Sequence, residues 1–214
     1  MTRAPFLSLD GIDGTGKSTQ GRLLVDWLNA GGVPAVACAD PGGTPLGDQL
    51  REILLASKAD ITDRAEALLF MASRAELVAK VIRPALDAGR VVVSDRFVAA
   101  NVVYQGHARG LSPDDLWAVG TFATGGLMPD LTVVLDLPVE AAIARRGRAA
   151  DRVEARGLEY LDRVRRGFLA EAARRPGAFA VVDASPDIDT VQRDLRQLVG
   201  PFLSGRGYHV AGGA

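Results

Sequence analysis

The chain has 214 residues, of which 48% are hydrophobic, and this supports one globular domain with a full apolar core. A formal net charge of −1 excludes the basic field typical of proteins that bind nucleic acid over a whole face. The single cysteine excludes a disulfide within the chain. The sequence shows neither a secretory signal pattern nor an apolar run of the roughly 20 residues that cross a bilayer. We therefore expect a cytoplasmic protein with no membrane or nucleic-acid partner.

Apolar runs and helical patterns alternate along the chain, which predicts an α/β fold with a parallel sheet covered by helices on both faces. Strands are predicted near residues 5–10, 33–37, 91–93, 131–137 and 179–183. A first helix is predicted to end at Asn29, and two further helices are predicted to begin at Ser112 and Pro138. The remaining helices are predicted near 46–57, 62–88 (with a kink at Pro84), 155–174 and 187–203. One domain is expected over 1–204, with a Gly-rich, flexible tail over 205–214.

Residues 11–18, directly after the first predicted strand, fit the phosphate-binding pattern G-x-x-x-x-G-K-[ST]. Glycines let the backbone curl so that its N–H groups point at phosphate oxygens, and the following helix directs its positive end to the same place. Lys17 can reach the β- and γ-phosphates, and the Ser18 hydroxyl can ligate Mg²⁺. The pattern predicts an ATP-phosphate site formed by Gly11, Ile12, Asp13, Gly14, Thr15, Gly16, Lys17, Ser18 and Thr19.

Ligands of an open parallel sheet bind at the carboxyl ends of its strands, which gathers several polar residues beside the phosphate loop. Asp95 ends the third predicted strand and is either a second Mg²⁺ ligand or an ordinary strand-end cap. Arg96 can grip a second phosphate through paired hydrogen bonds. Asp13 faces either a cation or substrate hydroxyl, or points outward as a turn residue. Asp40 lies in a Pro- and Gly-rich loop that is either a ligand loop or a surface turn.

Arginines are concentrated in one part of the chain, with ten between residues 145 and 175. Those near its start have small neighbours, which indicates a mobile cationic loop, a lid over about 145–156. The phosphate loop contains no arginine, so a transition-state arginine has to come from elsewhere, and the lid is the obvious source. The alternative is that these arginines only form a solvated face.

Together, these short motifs resemble those of bacterial thymidylate kinases along about residues 5–200. The resemblance rests on the order and spacing of residues 11–18, 40–44, 70–74, 95–97, 101, 104–106, 129–132 and 151–154. It implies the three-layer P-loop fold of the nucleoside monophosphate kinases, with a central five-stranded parallel sheet and an arginine-rich lid. It also implies transfer of the γ-phosphoryl group of ATP to dTMP in the dTTP synthesis pathway, with Mg²⁺ as cofactor and a homodimer as the assembly.

The resemblance further implies roles for individual side chains. Phe70 would stack on the thymine ring, and Arg74 would hydrogen-bond its O4 edge. Tyr104 would lie near the 2′ position of the sugar. The remaining dTMP contacts would come from Asp13, Asp40, Arg51, Arg96, Asn101 and Gln105, and the catalytic groups would be Lys17, Arg96, Arg148, Arg152 and Asp13.

Two departures from the family pattern lie on the acceptor side. The family loop usually reads Arg-Glu-Pro-Gly-Gly-Thr, whereas Ala39 and Asp40 stand at its first two positions here. Ala100 replaces a frequent serine. Neither change touches the ATP-phosphate site.

Two other functions stay open at this point. One is a kinase of the same fold that acts on a different nucleoside monophosphate. The other is a nucleotide-binding regulator, although the chain lacks the Asn-Lys-x-Asp pattern of guanine-reading switches and has paired arginines suited to a second phosphate.

Overall fold

The computed structural model describes residues 3–56, 60–145 and 157–211. Within these ranges the strands are β1 (Phe6–Asp10), β2 (Ala35–Ala39), β3 (Val91–Asp95), β4 (Leu131–Asp136) and β5 (Phe179–Asp183). All pair in parallel, and they form one five-stranded sheet in the order β2-β3-β1-β4-β5. This is the α/β architecture that the alternating pattern predicts. Because β1 lies at the centre, the residues after it lie beside the ends of both β3 and β4.

The central strands β3, β1 and β4 are buried on both faces, and neighbouring residues of these strands pack in different parts of the core. Phe6 and Val92 pack with residues of the helices between β2 and β4. Leu7 and Val93 pack in a second cluster that includes residues near both ends of the chain. Strands buried on both sides need continuous apolar sequence, which explains the Val91–Val93 run.

The helices are α1 (Lys17–Ala30), α2 (Pro45–Leu55), α3 (Asp63–Leu77), α4 (Arg83–Asp87), α5 (Val98–Asn101), α6 (Pro113–Thr124), α7 (Val139–Arg145), α8 (Leu158–Arg174) and α9 (Ile188–Ser204). Two π-helical segments, Val78–Ile82 and Val102–His107, continue α3 and α5. Among the described residues, no helix has the length and apolar character needed to span a membrane.

Three local predictions differ from the structure. The strand predicted at 33–37 begins at Ala35, because the Val33 amide donates to Leu28 O at 2.9 Å and closes the turn after α1. The helix predicted at 62–88 runs unbroken over 63–87, but its segment Val78–Ile82 is π-helical rather than α-helical, just before Pro84, which lacks an N–H to donate. The helical stretch 98–107 was not predicted, since its β-branched valines weaken the helical signal.

The start of the C-terminal tail contacts the end of α1. Tyr208 and Val210 pack against buried core residues, and the Ala211 amide donates to Gly31 O at 2.9 Å. Residues 208–211, part of the segment predicted to be flexible, therefore pack against the domain. The single-domain assignment over 1–204 stays a prediction.

Candidate active site

The phosphate loop connects β1 to α1 through glycines with positive φ. Gly11, Gly14 and Gly16 have φ values of 138°, 93° and 91°. A Cβ on Gly14 would lie 2.0 Å from Ala142 O, so the loop also needs glycine to pass close to α7. Helix α1 begins at Lys17 with neither a side-chain cap nor an acidic residue in its first turn. Its positive end is thus open to an anion.

Lys17 is the main cation of this loop and is only 5% exposed. Its Nζ donates to Ile12 O at 2.9 Å and lies 3.3 Å from Asp13 Oδ1. Burial lowers the pKa of Lys17, with the positive charge of Arg96 acting in the same direction. A bound phosphate would oppose both effects and favour the charged ammonium.

Ser18 and Asp95 meet at the carboxyl end of the sheet. The Ser18 hydroxyl donates to Asp95 Oδ2 at 2.5 Å, although the two residues are 77 positions apart. The contact arises because β1 and β3 are adjacent, with Leu9 paired to Asp95. Thr15 lies in the loop and Thr19 in the first turn of α1. The Thr15 hydroxyl donates to Ile12 O at 2.9 Å and therefore stabilises the loop itself.

Arg96 links the phosphate loop to the opposite wall. Its guanidinium donates to Gly11 O at 3.0 Å, to Asp13 Oδ1 at 2.8 Å and to the Tyr104 hydroxyl at 3.1 Å. It also lies 4.9 Å from the Tyr104 ring centroid. Asp13 raises the pKa of Arg96 against the effect of burial, so Arg96 stays charged. Asp13 is therefore paired with cations rather than turned outward.

A cavity of about 390 Å³ opens beside this group. Its lining joins Lys17 and Ser18 to residues from the loop after β2, from α2, α3 and α5, and from the second π-helical segment. The predicted site residues that line it are Asp13, Lys17, Ser18, Asp40, Arg51, Phe70, Arg74, Asp95, Arg96, Asn101, Tyr104 and Gln105. Tertiary structure thus brings the donor and acceptor predictions into one cavity.

The acceptor side of the cavity contains a buried ion pair between Arg74 and Asp40. Arg74, 1% exposed, donates from Nε to Asp40 Oδ2 at 2.5 Å. Burial raises the pKa of Asp40, while Arg74 acts to lower it. Asp40 Oδ1 is buried without a hydrogen-bond partner among the described residues. The Asp40 carboxylate thus orients Arg74, and Phe70, on the same face one turn earlier, is only partly buried.

The rest of this loop is held by local contacts. Arg51 donates to Pro41 O at 2.7 Å, and Asp48 Oδ1 accepts from the Gly43 amide at 2.9 Å. The Asp40–Pro41 peptide bond is cis. Arg51 also lines the cavity, and its hydrogen bond to Pro41 O holds the loop.

The lid prediction is only partly within the described residues. Arg145 donates to Ala184 O and Ser185 O, both at 2.5 Å, and so lies against the turn after β5. Arg146, Arg148 and Arg152, and the 145–156 lid beyond Arg145, lie outside the described residues.

The sequence reasoning missed one buried residue that contacts the cavity lining. Glu66 is 0% exposed and accepts from Gln105 Nε2 at 2.9 Å. The sequence did carry a signal for Glu66, because residues four apart share one helical face and Glu66 therefore lies on the same face as Phe70 and Arg74. A glutamate on a buried helical face indicates a buried polar partner.

Comparison with known proteins gives one consistent result. The thymidylate kinase family model matches residues 9–195. The thymidylate kinase of Symbiobacterium thermophilum is 48% identical over 203 residues, covering 94% of this chain and 95% of that protein. The thymidylate kinase of Leifsonia xyli is 46% identical over 194 residues, covering 89% and 92%. That of Desulfovibrio desulfuricans is 42% identical over 212 residues, covering 94% and 98%.

Proposed function

Because the chain belongs to the thymidylate kinase family, we propose how its residues carry out that family's reaction, the transfer of the γ-phosphoryl group of ATP to dTMP. The protein is an enzyme, a dTMP kinase of nucleotide biosynthesis, and its products are dTDP and ADP. The main support for these residue roles is that Lys17 and Ser18 line the same cavity as Phe70, Arg74 and Asn101.

On the donor side, the loop amides and Lys17 hold the ATP phosphates. Lys17 lies at the N-terminus of α1, where its ammonium and the helix dipole both favour negative charge. The loop brings no arginine, so additional positive charge comes from Arg96 and, in our proposal, from Arg148 and Arg152 of the lid. Phosphoryl transfer needs such positioning and charge neutralisation more than covalent help from the protein.

On the acceptor side, Phe70 stacks on the thymine ring and Arg74 donates to its O4 edge. Asn101 and Gln105 contact the base or sugar, and Tyr104 limits the space at the 2′ position. Arg51 and Arg96 hold the acceptor phosphate, with Asp13 facing the acceptor sugar and phosphate. Supporting this, each of these side chains lines the cavity, while Asp40 acts through Arg74, which it anchors.

Ser18 and Asp95 are the residues that would hold Mg²⁺. A hydroxyl and a carboxylate at 2.5 Å offer the oxygen ligands that this ion prefers, and Mg²⁺ commonly takes only one or two protein ligands beside phosphates and waters. The described residues contain no cluster of three or more acidic, His or Cys ligands, which fits this mode. The ion would neutralise phosphate charge.

We also propose a homodimer that buries the adjacent outer faces of α3 and α6. Leu68 on α3 is 58% exposed and Phe122 on α6 is 88% exposed, and these two helices pack side by side. Large exposed apolar side chains of this kind mark interaction surfaces. Use of ATP and dTMP further fits the proposed cytoplasmic location.

The test is an assay of the purified protein with ATP and a panel of acceptors: dTMP, dUMP, UMP, CMP, AMP and GMP. We expect dTMP to give the highest kcat/KM. Preference for a purine acceptor would support another monophosphate kinase, and ATP binding without dTDP formation at high enzyme concentration would support a regulator; either result would overturn the proposal.

A further inference from the structure

Beneath the acceptor cavity, buried polar side chains form a continuous row. Arg74 Nη1 donates to Asn101 Oδ1 at 2.8 Å, Asn101 Nδ2 to Gln105 Oε1 at 3.1 Å, and Gln105 Nε2 to Glu66 Oε1 at 2.9 Å. None of the four side chains is more than 2% exposed. Arg74 comes from α3, as does Glu66, while the two amides come from α5 and the second π-helical segment. The row therefore spans the gap between these elements.

The two ends of the row have opposite hydrogen-bonding character. A guanidinium can only donate hydrogen bonds and a carboxylate can only accept them, whereas an amide can do both. Arg74 therefore holds the Asn101 oxygen, and Glu66 holds the Gln105 nitrogen. The second Asn101 N–H points to Ala67 O at 3.4 Å. Reversal of either amide would set donor against donor or acceptor against acceptor, so the charged ends fix the direction of both.

Glu66 is itself paired with a cation, Arg109, which does not line the cavity. Arg109 Nη1 lies 3.7 Å from Glu66 Oε1 and also pairs with Asp63. The Arg109 side chain is 25% exposed, so the row runs from the cavity floor to the edge of the molecule. A nearby arginine offsets part of the cost of burying a carboxylate, and Arg109 has this place beside Glu66.

We propose that Glu66 is a positioning residue for the acceptor base: by accepting from Gln105 it fixes the amide row so that the cavity offers a donor at Arg74 next to an acceptor at Asn101. Each amide oxygen keeps a second lone pair after its bond within the row. A pyrimidine with a 4-keto group and an N3–H matches this order, whereas a 4-amino pyrimidine has the reverse order. The inference rests on the proposed acceptor site and adds the residue that sets its polarity.

The experiment compares Glu66→Leu and Glu66→Gln in the purified full-length enzyme. Leucine removes the acceptor and leaves the Gln105 nitrogen buried without its partner, so we expect the KM for dTMP to rise about tenfold. Glutamine keeps an acceptor oxygen, but its amide can adopt either of two orientations. We therefore expect the KM for dTMP to rise only about threefold, a partial rescue relative to leucine. In both variants kcat and the KM for ATP should stay within about twofold of the wild type.

Base selectivity separates positioning from a general structural role. The ratio of kcat/KM for dTMP over dCMP should fall in both variants, while the ratio for dTMP over dUMP stays unchanged, because thymine and uracil share the same polar edge. Calorimetric titration of dTMP without ATP should show the same loss of affinity. Glu171→Gln is the matched control, since Glu171 is also 0% exposed but contacts His107 and Trp117 rather than cavity-lining residues.

An unchanged KM for dTMP in both variants, a parallel rise in the KM for ATP, or an unchanged ratio of dTMP to dCMP use would overturn the inference. If Glu66→Leu does not fold, Glu66→Gln alone decides it by the same three readouts. The wild-type enzyme separates this result from the proposed function, because failure of the wild type to phosphorylate dTMP would contradict the function itself.

Discussion

The two sides of the cavity are built in different ways. The donor side consists of one short stretch, residues 11–18, whose backbone and glycine conformations form the proposed phosphate site between β1 and α1. The acceptor side consists of side chains from residues 40 to 105, held to one another by buried hydrogen bonds. A backbone site tolerates side-chain variation around it, whereas a side-chain site depends on each partner. Both departures from the family pattern, at Ala39–Asp40 and Ala100, fall on the acceptor side, where a changed side chain alters the site directly.

The largest effect is expected from Arg74→Leu, because it leaves the Asp40 carboxylate buried without its cation. Removal of one partner of a buried ion pair costs about 3–5 kcal/mol, and urea unfolding would measure this loss. The exposed pair Arg166–Asp162, with side chains 70% and 47% exposed, provides the control, since Arg166→Ala should cost less than about 1 kcal/mol. An equal loss in the two variants would show that the acceptor side does not depend on its buried pair.

For Arg74→Leu we also expect the free energy of unfolding to depend on pH in a way that differs from the wild type. Burial already raises the pKa of Asp40 above its value in the unfolded chain, and loss of Arg74 raises it further. Between the two pKa values the native state binds more protons than the unfolded state, so stability falls as pH rises. The stability deficit of Arg74→Leu relative to the wild type should therefore shrink toward acidic pH. A deficit that grows on acidification would contradict this.

On the donor side, Lys17→Met should lower kcat by about 10²- to 10³-fold, as expected for removal of one preorganised cation from a developing charge. Because Lys17 lies with the phosphate loop rather than the base-binding wall, the affinity for dTMP alone should stay within about twofold. Steady-state kinetics and calorimetric titration of dTMP measure the two quantities. Equal losses in both would mean that the donor and acceptor sides are not separable.

A smaller effect tests how strictly the donor loop depends on its backbone. In Gly14→Ala the new Cβ would lie 2.0 Å from Ala142 O at a φ of 93°, so backbone has to move. Gly89→Ala has a similar φ of 75° with nothing within 4 Å, and should cost only about 1–2 kcal/mol for the left-handed conformation. We expect Gly14→Ala to cost about 1–3 kcal/mol more, measured by urea unfolding. Equal costs would show that α7 can yield to the loop.

The smallest effect concerns Cys38, which lies in β2 just before the Asp40 loop. Burial raises the pKa of this thiol to about 12. The thiol therefore stays protonated at pH 8, and a thiol reagent should react much more slowly with the native protein than with the unfolded chain. No change in activity is expected after brief exposure to the reagent. Rapid modification of the native protein would show that the base of the acceptor side opens readily.

The sequence by itself determined the strand–loop–helix element over β1 and α1 and the parallel α/β sheet. Both depend on local signals, namely the glycine and lysine spacing of residues 11–18 and the short apolar runs. The helices around residue 80 and over 98–107 were harder to predict, because each contains a π-helical segment and is stabilised by contacts with residues distant in sequence.

Only the tertiary structure decided which side chains of the acceptor side are hydrogen-bonded to one another. Asp40 and Arg74 are 34 positions apart, and Gln105 and Glu66 are 39 apart, so no local spacing links them. Family resemblance predicted that Arg74 and Asn101 serve the acceptor, but the partners that orient them depend on how α3 packs against α5 and the adjoining π-helical segment. Hydrogen bonds of buried side chains form only once packing excludes water and brings donor to acceptor. For this reason the contact of Glu66 with Gln105 is seen only in the fold, although the helical position of Glu66 could be read from the sequence.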